Sequence, residues 1–166
     1  MQHENPAVTV DVAVLNIQRG DLKIVLIQRK NPPFQGDWAL PGGFLEPDEI
    51  LMAAATRELK EETGIEGLTL YPIGMFDKLG RDPRGRTLTM AFWTLTNKKL
   101  NVQASTDAAN VQLFSLKKLP KLAFDHEEII HKLKEQLKHL YYNALPLFEA
   151  VQEIGIKQLR EVLENM

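Results

Sequence analysis

From Pro47 to Thr63 the chain is built of Ala, Leu, Met, Glu, Lys and Arg, strong helix formers, and it then reaches Gly64, which readily takes the left-handed turn that ends many helices. This predicts a helix over 47–63. At about 100° per residue, Glu58 and Glu62 lie about 40° apart around its axis, with Glu61 about 60° to the other side of Glu58. Three carboxylates therefore share one face. Like charges this close raise one another's pKa and destabilise the helix unless a cation sits among them, and oxygen ligands of this hardness suit Mg²⁺, with Mn²⁺ able to substitute. The alternative is a solvated face stitched by i,i+4 pairs.

The neighbouring residues bear on that choice. Arg57, four residues before Glu61, has the spacing to orient a carboxylate, and Glu49 lies one to two turns away on its other side. Gly42-Gly43 lets backbone approach a metal closely, making the Gly43 carbonyl a further candidate ligand.

Around the helix the chain reads as strands. Val8–Ile17 and Leu22–Ile27 are rich in β-branched residues and are joined by Arg19, Gly20 and Asp21, a hairpin pattern. Asn31–Gly43, with Pro32-Pro33 and Gly42-Gly43, is a shaped loop holding at most a short strand at Trp38-Ala39-Leu40. Strand-like runs follow at Leu68–Ile73, Thr87–Leu95 and Val111–Phe114. Asp125 with Glu128 resembles a capping box opening a helix to about Tyr142, Pro146 interrupts, and Leu147–Asn165 reads as one or two short helices. A mixed sheet covered by helices follows from this order.

The 166 residues, 44% of them hydrophobic, suffice for one domain with a core. A formal net charge of -2 gives no overall attraction to nucleic acid or acidic membranes, so an anionic substrate must be held by local groups or metal. The absence of cysteine excludes disulfides, zinc-thiolate sites and thiol nucleophiles. No segment approaches the ~18 apolar residues of a membrane span and no export signal stands at the N-terminus, so a soluble, cytoplasmic protein is expected.

Gly43-Phe-Leu-Glu-Pro-Asp-Glu49, seven residues, then Arg57-Glu58-Leu59-Lys60-Glu61-Glu62-Thr63-Gly64-Ile65 matches every fixed position of the Nudix box, G-x5-E-x7-R-E-U-x-E-E-x-G-U, where U is bulky and aliphatic. The chain thus resembles the Nudix hydrolases. The resemblance implies an α/β/α sandwich with a mixed sheet over residues 1–142, to which 143–166 add a short helical extension. It also implies hydrolysis of a pyrophosphate bond by water with divalent cations. Glu58 and Glu62 would be metal ligands, Glu61 a ligand directly or through water, and Arg57 with Glu49 the supporting pair. The general base would be Glu61 or Asp107, the latter in the polar loop 97–110; an ordinary turn-forming Asp is the alternative for Asp107.

Substrate choice lies outside the box. The stretches 81–87, 32–43 and 122–126 are similar to those of the subgroup holding ADP-ribose pyrophosphatases and Nudix regulators of NAD metabolism. The resemblance implies a nucleoside diphosphate derivative as small-molecule substrate, ADP-ribose above others, giving AMP and ribose 5-phosphate. Arg81, Arg84 and Arg86 with Asp82 would meet its diphosphate and ribose, since guanidinium forks match phosphate oxygens; the alternative is a solvated turn in which Arg81 pairs with Asp82. Arg29 is a further phosphate candidate, and Phe34 and Trp38 are candidates for stacking on adenine, with a core position the alternative for Trp38.

The histidines lack metal-type spacing and are assigned no chemistry. The rival function is a ligand-sensing transcription regulator, whose winged helix would need more chain than follows Tyr142. Nucleic acid is therefore not an expected partner. A hydrolase of oxidised nucleoside triphosphates is the other alternative, and relatives are often homodimers, a state expected here by the same resemblance.

Overall fold

The computed structural model describes residues 5–104 and 108–148, with side chains as far as His139; Asp107 and most of the expected 147–165 helices lie outside the described residues. The elements are β1 (Ala7–Gln18), β2 (Asp21–Arg29), β3 (Trp38–Ala39), β4 (Gly42–Phe44), α1 (Leu51–Thr63), β5 (Tyr71–Phe76), β6 (Thr87–Thr96), β7 (Ala108–Ser115) and α2 (His126–Phe148).

β1 and β2 form the expected hairpin, with Gln18 opposite Asp21 and both loop residues, Arg19 and Gly20, at positive φ (51° and 76°). This backbone twist matches that of the flanking strands. The sheet runs β3-β2-β1-β6-β5, with β4 added to β1 and β7 to β2. β1 and β6 are parallel while the other pairs are antiparallel, so the sheet is mixed.

β1 is buried on both faces because its alternate residues serve two cores. Val10, Val12 and Val14 pack with Ala54, Ala55 and Leu59 of α1. Ala13, Leu15 and Ile17 pack with Ile129, Ile130, Leu133 and Leu137 of α2. A helix thus covers each face, giving the α/β/α sandwich. Among the described residues no helix is long and apolar enough to cross a membrane.

Several boundaries move for identifiable reasons. α1 starts at Leu51, because Glu46 N–H donates to the Glu49 carboxylate (2.9 Å) and holds the preceding residues as a loop that carries Glu49 to Arg57. It ends as expected at Gly64, at φ 72°. β5 lies at 71–76, not 68–73, since Leu68 and Leu70 fill the core beside α1. Asp125 makes no capping box with Glu128: its carboxylate accepts from Arg81, and Glu128 pairs with Lys78. Pro146 does not interrupt α2, which is described as far as Phe148.

Candidate active site

α1 and the β3–β4 turn face one another across the end of β1. Arg57 occupies the centre of the carboxylate cluster. Its Nη2 donates to Glu49 Oε1 (2.5 Å) and to the Phe44 carbonyl (3.1 Å), and its Nη1 donates to Glu58 Oε1 (2.8 Å) and Glu61 Oε2 (3.2 Å). The hydrogen bonds from Arg57 hold the Glu49 carboxyl below the usual range. Glu61 is the exposed member, its side chain 58% accessible.

Glu58 and Glu62 are in a different electrostatic state. Burial pushes the Glu58 carboxyl up despite Arg57. Burial pushes Glu62 up to about 8, although Gly42 N–H donates to its Oε2 (2.9 Å), and Glu58 and Asp11 add to the rise. Two partly desolvated carboxylates held side by side are a donor set whose charge a hard divalent cation would neutralise. Among the described residues no three Asp, Glu or His side chains are gathered as a ready cation site: Glu58 is turned to Arg57 and Glu62 to the Gly42 N–H. The residue types fit a hard cation, and the bonds to Arg57 and Gly42 engage Glu58 Oε1 and Glu62 Oε2, one oxygen of each carboxylate.

The glycines are required by space. A Cβ on Gly43 would collide with the Glu58 carboxylate, whereas one on Gly42 would collide with the Val10 carbonyl and Asp11. The first obstacle is the mobile end of a side chain and the second is backbone. Gly43→Ala is therefore expected to fold with a near-native melting temperature yet lose roughly 10²-fold in kcat, as a misplaced catalytic group does. Gly42→Ala is expected to lower the melting temperature as well. Thermal melts beside turnover assays check the contrast.

A cavity of about 330 Å³ opens beside this cluster, lined by residues including Asp11, Arg29, Gly42, Gly43, Glu62, Arg81, Asp82, Arg84, Phe124 and His126. Its floor is a buried network. Arg81 donates bidentately to Asp125 (Nε–Oδ2 2.9 Å, Nη2–Oδ1 2.7 Å) and lies 3.5 Å from Asp11 Oδ2. Thr89 Oγ1 donates to Asp11 Oδ2 (2.7 Å). His126 Nδ1 accepts from Leu40 N–H (2.9 Å), which leaves the proton of the neutral ring on Nε2, facing Asp11 Oδ1 at 3.3 Å. Burial alone would raise the Asp11 carboxyl, but His126, Thr89 and Arg81 together hold it below the usual range.

The rim is cationic and aromatic. Arg84 is clamped by Asp82 (Nη2–Oδ2 2.7 Å, Nε–Oδ1 3.0 Å) and lies 5.1 Å from the Phe44 ring. Arg29 donates to the Pro33 carbonyl (2.7 Å), and among the described residues no carboxylate pairs with it. Burial and then the neighbouring Arg84 hold its guanidinium below the usual arginine range.

Of the residues expected against substrate, Arg29, Asp82 and Arg84 line the cavity, and Phe34 touches its edge through Phe124. Arg81 lines it too, but its Nε and Nη2 donate to Asp125, and the alternative of an Arg81–Asp82 turn pair is not what forms, since Asp82 pairs with Arg84. Trp38 is packed edge-on to Phe114 against the main core, and Arg86 turns away to the Asp77 carbonyl; neither lines the cavity. Sequence reasoning gave no site role to Asp11, nor to Phe124, Asp125 and His126, although the last three stand in the 122–126 stretch that resembles the subgroup and Asp125 was read as a helix cap. Asp11 carried a signal, being a carboxylate inside an otherwise apolar strand, where a charge is buried only if paired.

With this geometry established, residues 6–133 match the NUDIX domain. The chain belongs to the Nudix family. It is 45% identical over 126 residues, 76% of its length and 72% of the relative's, to an ADP-ribose pyrophosphatase of Methanocaldococcus jannaschii. It is thus a Nudix pyrophosphohydrolase. It is also 35% identical over 167 aligned residues, 98% of its length and 67% of the relative's, to the ADPR responsive transcriptional repressor NtrR of Acinetobacter baylyi. Among solved structures, the NUDIX domain of Shewanella oneidensis NrtR complexed with ADP ribose superposes with a TM-score of 0.76 at 30% identity, covering 81% of this chain and 90% of that one. In this Nudix chain the box lies across β4, the following loop and α1, so that one motif supplies both the glycine wall and the carboxylate face.

Proposed function

We propose that the chain hydrolyses ADP-ribose to AMP and ribose 5-phosphate with a divalent cation, Mg²⁺ or in its place Mn²⁺. The observation that carries this reading is the continuity of the cavity: it runs from Gly43 and Glu62 to a rim bearing Arg29 and Arg84. A diphosphate lying along it would have carboxylates at one end and guanidinium groups at the other. The pyrophosphatase relative, 45% identical, supports the same substrate.

Glu58, Glu62 and Glu61, with the Gly43 carbonyl, are the groups to hold the metal. When bound, a divalent ion supplies neutralisation of the diphosphate and an acidified water. The chain's own residues do the rest. Arg57 holds the glutamate face together, and a carboxylate takes the water's proton as its oxygen bonds to one phosphorus and the bridging oxygen leaves with the other. Glu61, exposed and held by Arg57, is available for that proton, as Asp107 would be from its loop. Arg29 and Arg84 receive the phosphate oxygens.

The second reading is a sensor that binds ADP-ribose without cleaving it, favoured by the similarity to the repressor along nearly the whole chain. A Mg²⁺ assay over ADP-ribose, NADH, oxidised dGTP and a diadenosine polyphosphate separates them. AMP and ribose 5-phosphate from ADP-ribose, abolished in Glu62→Gln, are expected. Tight binding without products would establish the sensor instead, and turnover of the oxidised triphosphate alone would move the substrate class.

A further inference from the structure

Phe124 is one of the few non-glycine residues at positive φ (53°), and Phe34, also at positive φ (61°), meets its ring edge-on at 4.8 Å between centroids. Bulky side chains adopt this backbone region only where the surroundings enforce it, and such positions concentrate at functional sites. Here both flanks are anchored. Ala123 N–H donates to the Trp38 carbonyl (2.8 Å), Asp125 is clamped by Arg81, and His126 accepts from Leu40. The ring is thereby fixed at the cavity wall, where it lies 4.7 Å from the Arg29 guanidinium and 5.8 Å from that of Arg84. Both distances are within the reach of a cation–π interaction.

Two like charges facing one pocket repel and would swing apart into solvent if nothing held them. Arg84 has Asp82 and Phe44 to restrain it, whereas Arg29 has backbone carbonyls and the Phe124 ring. A ring offers what a carboxylate cannot: attraction for a cation without neutralising it, so the charge stays available to an incoming anion.

From this geometry we propose that Phe124 is a positioning residue that holds Arg29, and with it Arg84, in place to receive the substrate's diphosphate. This rests on the diphosphate reading of the cavity given above. Phe124 acts through the arginines and not by direct contact with the substrate.

The test measures ADP-ribose affinity by calorimetry in metal-free buffer, and KM and kcat in Mg²⁺, for wild type, Phe124→Leu, Phe124→Tyr, Arg29→Ala and the Phe124→Leu/Arg29→Ala double variant. Phe124→Leu is expected to weaken binding and raise KM roughly tenfold while leaving kcat within about twofold, and Phe124→Tyr, which keeps the aromatic face, to stay near wild type. The double variant is expected to bind no worse than Arg29→Ala alone, because the ring has no further effect once its arginine is gone. Additive losses would overturn the proposal in favour of direct contact, and an unchanged KM in Phe124→Leu would overturn it outright. Should wild type leave ADP-ribose untouched but cleave another diphosphate of the panel, the substrate assignment fails and the variants are compared on that compound. Wild type that binds and cleaves none of them overturns both.

Discussion

Glu62→Gln is expected to lower kcat by roughly 10³-fold, and at the same time to make the metal-free protein more stable above pH 8. The loss of turnover follows from removing an anionic oxygen from the proposed metal face, where charge stabilisation is worth several kcal/mol. The gain in stability follows from the state of the carboxyl. Burial raises Glu62 from its ordinary 4.5 to about 8. A carboxyl whose folded value lies above its unfolded one keeps more protons in the folded state between those pH values. Folding is therefore unaffected by ionisation of this group below about pH 4.5, is penalised progressively as pH rises, and carries the full penalty above about pH 8. Glutamine, isosteric and uncharged, removes it, for a gain on the order of 1–4 kcal/mol in alkaline buffer and little near pH 5. Chemical denaturation with chelator at both pH values, beside the turnover assay, reads both effects. A variant that loses activity and alkaline stability together would show that Glu62 is held by its neighbours and not strained among them.

Arg81→Ala is expected to cost roughly 3–5 kcal/mol of stability, the range for breaking a buried pair, and so to lower the melting temperature by about 6–20 °C. Its side chain is 4% exposed, and its partners Asp125 and Asp11 are 8% and 9% exposed. Removing the guanidinium strands the buried Asp125 carboxylate and takes a cation from Asp11, which keeps Thr89 and His126. Arg81→Ala combined with Asp125→Asn is expected to recover part of the loss, since the stranded charge is then gone. A normal melting temperature with a raised KM would instead assign Arg81 to the substrate, the role its place in the 81–86 loop first suggests.

Arg81 also shows where sequence stops being informative. Its sequence neighbour Asp82 is the natural partner on local grounds, yet Asp82 pairs with Arg84, two residues on, while Arg81 turns inward to Asp125. That choice is made by the parallel pairing of β1 with β6 and by the docking of α2, neither of which leaves a periodic signal near residue 81. By contrast the β1–β2 hairpin, the end of α1 at Gly64, and the adjacency of Glu49, Arg57, Glu58 and Glu61 are set within one helix or one turn, and local pattern suffices to locate them. Of the two readings open for Trp38, adenine stacking and a core position, the structure takes the second. The tryptophan packs into the interior beside Phe114, whereas Phe124, placed in the 122–126 stretch by resemblance but given no role by local chemistry, lies against the Arg29 guanidinium.

The hydrogen bond from Leu40 to His126, and His126's approach to Asp11, join parts of the chain 86 residues apart in the first case and more in the second. The cavity floor is consequently a tertiary object: no fragment ending before α2 contains it, and it exists only once β1 and α2 have met. Occupancy should then be felt by the whole molecule. A bound diphosphate would raise the cooperative unfolding free energy by the mass-action amount, slowing amide exchange in the strand core as much as in the loops that touch it.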